Sequence, residues 1–346
     1  MASASELGIA IVGAGVVARY HAQAIAKAQG ARLVATCRSD PAKAAAAQAE
    51  FGVPCETSYD ALLARRDVDA VCLCTPSGLH AAQTAAAARA KKHVLVEKPM
   101  ALTVEDADAM IAACYAAGVT LGVALQRRTE PAYQAVRGAI AAGGLGRPVM
   151  GLALVPYFRP QSYYDSATWR GTWAEDGGGA LMNQGIHIVD LLLWFMGDPE
   201  EVQGRAATLS HSIEVEDTLA ASLRFKSGAL GSVVATTSAS PGFAHRVEVY
   251  GTRGGVQLEA EAVVRWESEA PPTLSQSVAP GASGAGAGAS PTGLAPAGHM
   301  RIVADFVSAV RDGRPPLVPG EEGRRSVSLV LAIYEAARTG RPTRPR

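Results

Sequence analysis

Short apolar runs alternate with longer mixed segments through the first third of the chain. Leu7–Gly13, Ala31–Cys37, a short run near Val53, Ala70–Cys74, His93–Val96 and Thr120–Ala124 read as strands. Their apolar character is continuous rather than alternating, which is the mark of a strand covered on both faces. The intervening segments have helical length and end near Ala28, Phe51, Ala64, Ala90 and Ala117. Strand–helix alternation of this kind predicts a Rossmann-type, doubly wound parallel sheet over residues 1–125.

After Gly146 the period changes. Val149–Val155, Val202–Leu209, Thr218–Phe225, Leu230–Thr237, Arg246–Tyr250 and Val256–Glu259 are strand-like, mostly separated by turn residues such as Lys226-Ser227-Gly228. Residues 126–346 are therefore expected to form an α+β domain around a large open, mainly antiparallel sheet. The helical segment Ala180–Phe195 is the candidate cover for one face. The other face is left to water or to a second copy, so a homodimer or homotetramer through the open sheet is expected. Residues 279–298 carry no charge and no aromatic side chain and read as a flexible insertion. Two helices, at about 299–312 and 322–338, close this second domain.

Composition narrows the class. Lys and Arg number 32 against 32 Asp and Glu, with no basic stripe, so nucleic acid is not an expected partner. The opening residues lack the basic flank of a signal peptide, and no apolar run approaches the about 20 residues that span a bilayer. The cysteines are five, an odd number, and Cys72-x-Cys74 places two thiols on one strand face, better suited to a core than to a metal. A reduced, cytoplasmic protein without a metal centre or membrane partner is expected.

The chemistry is written at the strand ends. The first strand runs into Gly13-Ala14-Gly15-Val16-Val17-Ala18, a GxGxxA dinucleotide fingerprint. Gly13 makes the turn, Gly15 admits a pyrophosphate, and Ala18 lets the helix lie close to the strand. At the end of the second strand a carboxylate would bind the ribose hydroxyl of NAD. Arg38 and Ser39 stand there instead, and Asp40 before Pro41 reads as a helix cap. NADP is therefore the expected cofactor, with NAD as the alternative. Thr75, Pro76, Ser77 and His80, then Glu97 and Lys98, then Gln126 follow later strands and complete the candidate cofactor edge. Lys98 is the candidate catalytic ammonium. On the 180–195 helix, Asn183, His187 and Asp190 are spaced four and three apart, which places them on one side. Glycines 177–179 before it would let backbone approach a ligand. Tyr164, Trp169 and Arg170, in an aromatic-rich loop, are candidate contacts for a sugar face or an anionic group.

The stretches IAIVGAGVVARYH, CTPSGLH, VEKPM and GGGALMNQGIHIVDLLLW, with the closing RIVADFVSAVRDGRPPLVPGEEGRRSVSLVLAIYEAARTGRP, resemble the Gfo/Idh/MocA family. The resemblance implies a Rossmann domain followed by an open-sheet domain. It also implies hydride transfer between a nicotinamide and a hydroxyl or ketone carbon of a sugar, cyclitol or nucleotide sugar. Carried over by position, Lys98 and His187 are the catalytic residues. Many dehydrogenases of that family have aspartate four residues before the histidine. Here that residue is Asn183, which cannot take a proton and which resembles members acting on nucleotide sugars. An NAD-dependent glycoside hydrolase and a non-catalytic dinucleotide-binding regulator are the alternatives the same fold allows.

Overall fold

The computed structural model describes residues 6–268, Gly288 and 296–346. Most of the expected insertion at 279–298 therefore lies outside the described residues. The chain divides into two compact units, Met1–Gln126 with Ala295–Arg324, and Arg127–Leu294 with Arg325–Arg346.

The first unit alternates as its sequence predicts. In order come β1 (Leu7–Val12), α1 (Val16–Lys27), β2 (Ala31–Cys37), α2 (Pro41–Phe51) and β3 (Cys55–Glu56). Then follow α3 (Tyr59–Leu63), β4 (Ala70–Leu73), α4 (His80–Arg89), β5 (His93–Val96), α5 (Val104–Ala117) and β6 (Leu121–Val123). The strands pair in the order β3-β2-β1-β4-β5-β6, parallel throughout. The order reverses between β1 and β4, so their carboxyl ends diverge into a ligand crevice. Local chemistry sets the helix ends. Asp40 accepts from the Ala42 N–H at 3.0 Å with Pro41 at the first helical position, and Thr103 accepts from the Asp106 N–H at 3.0 Å. Ile9, Ile11, Val71, Leu73, Val94 and Val96 are buried between the helical layers. The five cysteines are free thiols.

The second unit contains α6 (Pro131–Ala141), β7 (Pro148–Pro156), α7 (Gln161–Asp165), a π-helical turn over Ala180–Gly185 and α8 (Ile186–Met196). Six further strands follow, β8 (Pro199–Ala207), β9 (Thr218–Phe225), β10 (Leu230–Thr236), β11 (Arg246–Gly251), β12 (Gly254–Glu259) and β13 (Ala262–Ser268). They form a seven-stranded sheet in the order β13-β12-β11-β7-β10-β9-β8. Pairing is antiparallel except between β7 and β10. On β9 the residues Leu219, Ala221, Leu223 and Phe225 point inward and alternate with exposed positions. Helix α8 lies on the inner face. A Cβ on Gly151 of β7 would stand 2.7 Å from Met196 Cγ and 2.9 Å from Leu192 Cδ1, so glycine is what lets the helix lie so close.

Three sequence expectations change. The segment 180–195 is not one α-helix, because its first six residues form the π-helical turn. The strand β13, whose AVVRWES mixes charge with apolar residues, was hidden by its half-exposed edge position. The closing helices do not both belong to the second domain. Helix α9 (Pro296–Asp312) packs in the first unit, where Gly122 leaves room for Phe306 and Tyr20 stacks on His299 at 5.3 Å. Helix α10 (Gly320–Thr339) contains the division between the units. No helix among the described residues is long and apolar enough to cross a membrane.

Candidate functional site

In the first unit the strand ends converge on the turn after β1. Gly13 has a φ of +91°, and a Cβ there would lie 2.7 Å from the Cys74 carbonyl oxygen, so no side chain fits. Gly15 is the opposite case. A Cβ on it would meet nothing within 4 Å, and the space it would fill is open. Behind it α1 starts with no side-chain cap and no acidic residue in its first turn. Its amide groups are left to an anion, and these features fit the pyrophosphate of a dinucleotide. Val16 is exposed, Val17 is partly exposed, and Ser39 is exposed at the end of β2. Arg38 donates to the Ala14 carbonyl at 3.3 Å, which folds its guanidinium over the glycine turn. Asp40 is spent on the α2 cap and on Lys43 at 3.2 Å.

The second row of strand ends is more internally committed than the sequence suggests. The Thr75 hydroxyl donates to Gln83 Oε1 at 2.6 Å, and Pro76 and Ser77 lead into a short turn that ends at Leu79. His80 is buried, with ring nitrogens 3.0 Å from the carbonyls of Thr75 and Pro99, and burial pushes its pKa down. It ties the exits of β4 and β5 together instead of presenting its ring to a ligand. Glu97 also turns inward. Its Oε1 lies 2.7 Å from His21 Nε2 and its Oε2 accepts the Lys98 N–H at 3.1 Å. Lys98 is only partly buried, and a cis peptide joins it to Pro99. Gln126 is buried just beyond β6. Of the candidate cofactor residues, Glu97 and His80 thus serve the frame, while Lys98, half-buried, stands beside them at the β5 exit.

In the second unit the π-helical turn carries Asn183, and α8 carries His187 and Asp190. The glycines before the turn are there for packing. A Cβ on Gly178 would stand 2.3 Å from the Tyr334 hydroxyl, and one on Gly179 would stand 1.8 Å from the Glu216 carbonyl oxygen. The close approach is to the chain itself, not to a ligand. Glu216 then anchors the turn. It accepts from the Gly179 N–H at 2.9 Å, the Leu181 N–H at 2.8 Å and the Tyr334 hydroxyl at 2.8 Å. Nothing local marks Glu216 in the sequence beyond a carboxylate before a strand. Asn183 is partly exposed and its amide donates to Asp176 Oδ1, while Asp176 Oδ2 accepts the Gly171 N–H at 2.9 Å. An amide–carboxylate pair therefore occupies the place where the sequence offered an amide alone.

Asp190 turns into the core. Its carboxylate accepts both Arg128 Nε at 2.8 Å and Nη2 at 2.7 Å, and the Ser326 hydroxyl at 2.9 Å. Both side chains are within 2% of full burial, so Asp190 serves as the internal counter-ion of Arg128. His187 is 7% exposed. Tyr164 is buried with its hydroxyl 2.8 Å from Thr237 Oγ1. Arg170 lies over the Tyr163 and Trp169 rings, 4.3 and 4.4 Å from their centroids, and donates to the Tyr163 hydroxyl. Tyr164 and Arg170 line a cavity of about 290 Å³ with Ser212 and Glu214. Neither Asn183 nor His187 lines it.

Comparison with known proteins gives consistent matches to both units. Residues 7–125 match a family model described as an oxidoreductase family with an NAD-binding Rossmann fold, and residues 133–257 match a GFO/IDH/MocA C-terminal domain. The chain is 34% identical over 341 residues to 1,5-anhydro-D-fructose reductase of Ensifer adhaerens, covering 95% of this chain and 96% of that one. It is 36% identical to the WlbA dehydrogenase of Bordetella pertussis, whose crystal structure holds NADH and UDP-GlcNAcA. That superposition covers 98% of each chain with a TM-score of 0.86. The WlbA dehydrogenase of Chromobacterium violaceum, in complex with the same two molecules, is 35% identical over 99% of each chain with a TM-score of 0.88.

The turn under Asn183 makes one electrostatic prediction. Burial pushes Glu216 from its ordinary 4.5 up to about 7, against the three donors that favour its charge. A raised carboxyl favours the folded chain most at acid pH, and that contribution is lost as pH rises from about 4.5 through about 7. Glu216→Gln removes the titration, so its unfolding free energy relative to wild type should climb across this window by up to about 3 kcal/mol. Urea unfolding at a series of pH values checks this, and parallel profiles for the two proteins would contradict it.

Proposed function

This chain belongs to the Gfo/Idh/MocA family of NAD(P)-dependent oxidoreductases, and we propose that its substrate is a nucleotide sugar and its cofactor NADP. The family chemistry is hydride transfer between a nicotinamide and a hydroxyl or ketone carbon of a sugar, cyclitol or nucleotide sugar. The observation that carries the nucleotide-sugar reading is the full-length likeness, at 36% identity, to an enzyme crystallised with UDP-GlcNAcA. The Asn183–Asp176 pair supports it, since a relay that needs a free carboxylate before His187 is absent from this helix. NADP is supported by Arg38 over the glycine turn and by the commitment of Asp40 to its cap.

A bound nicotinamide dinucleotide would supply the redox step, its pyrophosphate held by Gly13, Gly15 and the start of α1. The chain's own part is alignment and proton movement. In this reading Lys98 is the group that takes or gives the proton of the reacting oxygen, because it is the one ammonium at the β5 exit and Glu97 beside it is turned away into the core. His187 is the second catalytic residue in this reading, as a hydrogen-bond partner to the substrate. Arg170 and Trp169 present a cation and a ring for the sugar or its anionic substituent.

The outer face of the second unit's sheet is assigned to a second copy of the chain. Met150, Leu230 and Val234 are exposed there on the paired strands β7 and β10, an apolar stripe that water covers poorly.

The reading is tested by kinetics, cofactor binding and sedimentation. Nicotinamide reduction should be faster with UDP-GlcNAcA than with free sugars or inositols, and NADPH should bind more tightly than NADH in a fluorescence titration. Lys98→Ala should lower kcat by about 10²–10⁴-fold while leaving cofactor affinity near wild type. Near wild-type turnover of that variant, or preference for a free sugar, would overturn it. Sedimentation equilibrium should find a dimer or tetramer, and Val234→Glu should shift it toward monomer. A monomeric wild type would remove the assignment of that face.

A further inference from the structure

Beneath the β5 exit, three buried side chains meet that the proposed reaction does not use. His21 comes from α1, Glu97 from the end of β5, and His299 from α9, more than two hundred residues along the chain. Both histidines are 1% exposed. His21 Nε2 lies 2.7 Å from Glu97 Oε1, and His299 Nε2 lies 3.7 Å from the same oxygen. The second distance exceeds a hydrogen bond, but an N–H dipole at that range still favours the carboxylate. The His299 ring stacks on Tyr20 with an interplanar angle of 18° and meets the His21 ring edge-on, so neither imidazole can swing freely. Against the upward push of burial, first His21 and then His299 hold the Glu97 carboxyl well below its usual range.

Two imidazoles and a carboxylate are also a donor set for zinc. The geometry decides against it. Tetrahedral ligands at zinc bond lengths stand about 3.3 Å apart, whereas 2.7 Å is hydrogen-bond length. Among the described residues, moreover, the Nδ1 atoms of both rings have no partner. A zinc-bound Nε2 would leave each Nδ1–H as a buried donor with nowhere to go, where metal sites normally place an acceptor. With the proton on Nε2, each Nδ1 keeps only a lone pair. The hydrogen-bond network therefore assigns the Nε2–H tautomer to both rings.

The remaining oxygen of Glu97 points the other way. Oε2 accepts the backbone N–H of Lys98 at 3.1 Å. We propose that His21 and His299 are positioning residues for Lys98, acting through the Glu97 carboxylate that they hold oriented and charged. The ammonium then projects from a backbone tethered at its amide, and helix α9, returning from late in the chain, completes that clamp. This inference rests on the catalytic reading of Lys98 for its consequence, while the clamp itself can be measured without any reaction.

The test compares His299→Gln, whose side-chain amide can donate near the position of Nε2, with His299→Leu, which fills space and donates nothing. In wild-type protein, long-range nitrogen–proton spectra should show both rings as Nε2–H. The Lys98 amide should exchange slowly with solvent, and faster by about tenfold or more in His299→Leu, where Glu97 is freed to reorient, with His299→Gln close to wild type. On UDP-GlcNAcA, kcat should fall by about 10²-fold in His299→Leu with NADPH affinity retained, and should largely recover in His299→Gln. Equal losses in both variants would mean mere packing and would overturn the proposal. So would an Nδ1–H ring, unchanged Lys98 exchange, or stoichiometric zinc uptake by the wild-type protein. If wild-type protein turned over no sugar, the exchange result would still decide the clamp, and only the catalytic reading of Lys98 would fall.

Discussion

A carboxylate taken out of water must be met by donors, because its unpaired burial costs several kcal/mol. Among the described residues, buried carboxylates obey that constraint, and most of them also hold a backbone amide. Glu97 is met by His21, His299 and the Lys98 amide. Asp190 is met by the Arg128 fork and Ser326. Glu216 is met by two amides of the π-helical turn and Tyr334. Asp217, next in sequence, accepts from the Leu209 and Ser210 amides and from His211, and these donors override its burial and hold its pKa low. Within each unit, the groups that could act on a substrate are held by these pairs rather than built from them.

The division of labour follows from the two kinds of sheet. A parallel sheet needs helical cover on both faces, so the candidate functional groups of the first unit are confined to its strand ends, where Gly13, Arg38, Thr75 and Lys98 all stand. The second unit's sheet is covered by α8 on one face. Its polar side chains Asn183 and His187 lie on the turn and helix that provide the cover, and Met150, Leu230 and Val234 are exposed on β7 and β10. The π-helical turn is the device that joins the two roles. It widens the helix just where Glu216 and Tyr334 seize the backbone, and such turns recur at functional sites.

Much of this was legible in the sequence. Continuous apolar runs and the GxGxxA turn specify the first unit almost element by element, because covering a parallel sheet and seating a pyrophosphate each demand particular residues at particular positions. The alternation on β9 and β10 did the same for the second sheet. What could not be read were pairings between distant residues. Nothing local to Asp190 announces Arg128, and helical spacing alone suggested that it faced His187. Glycines 177–179 look identical whether they admit a ligand or the Tyr334 hydroxyl. The wider π-helical turn has no composition of its own, and α9 looks like any late amphipathic helix until its His299 is found against Glu97. Periodicity reports which face of an element is buried, not which partner buries it.

We propose that Lys98 handles the proton while hydride passes between nicotinamide and a sugar carbon in either direction. The most direct measurement uses NADPH deuterated on the transferring face of C4, incubated with the protein and the keto form of the nucleotide sugar. Mass spectrometry should then find deuterium on a sugar carbon of the product, and none should appear with Lys98→Ala on the same time scale. Deuterium retained on the cofactor while the sugar is consumed, or a sugar left unchanged with NADPH bound, would contradict the account.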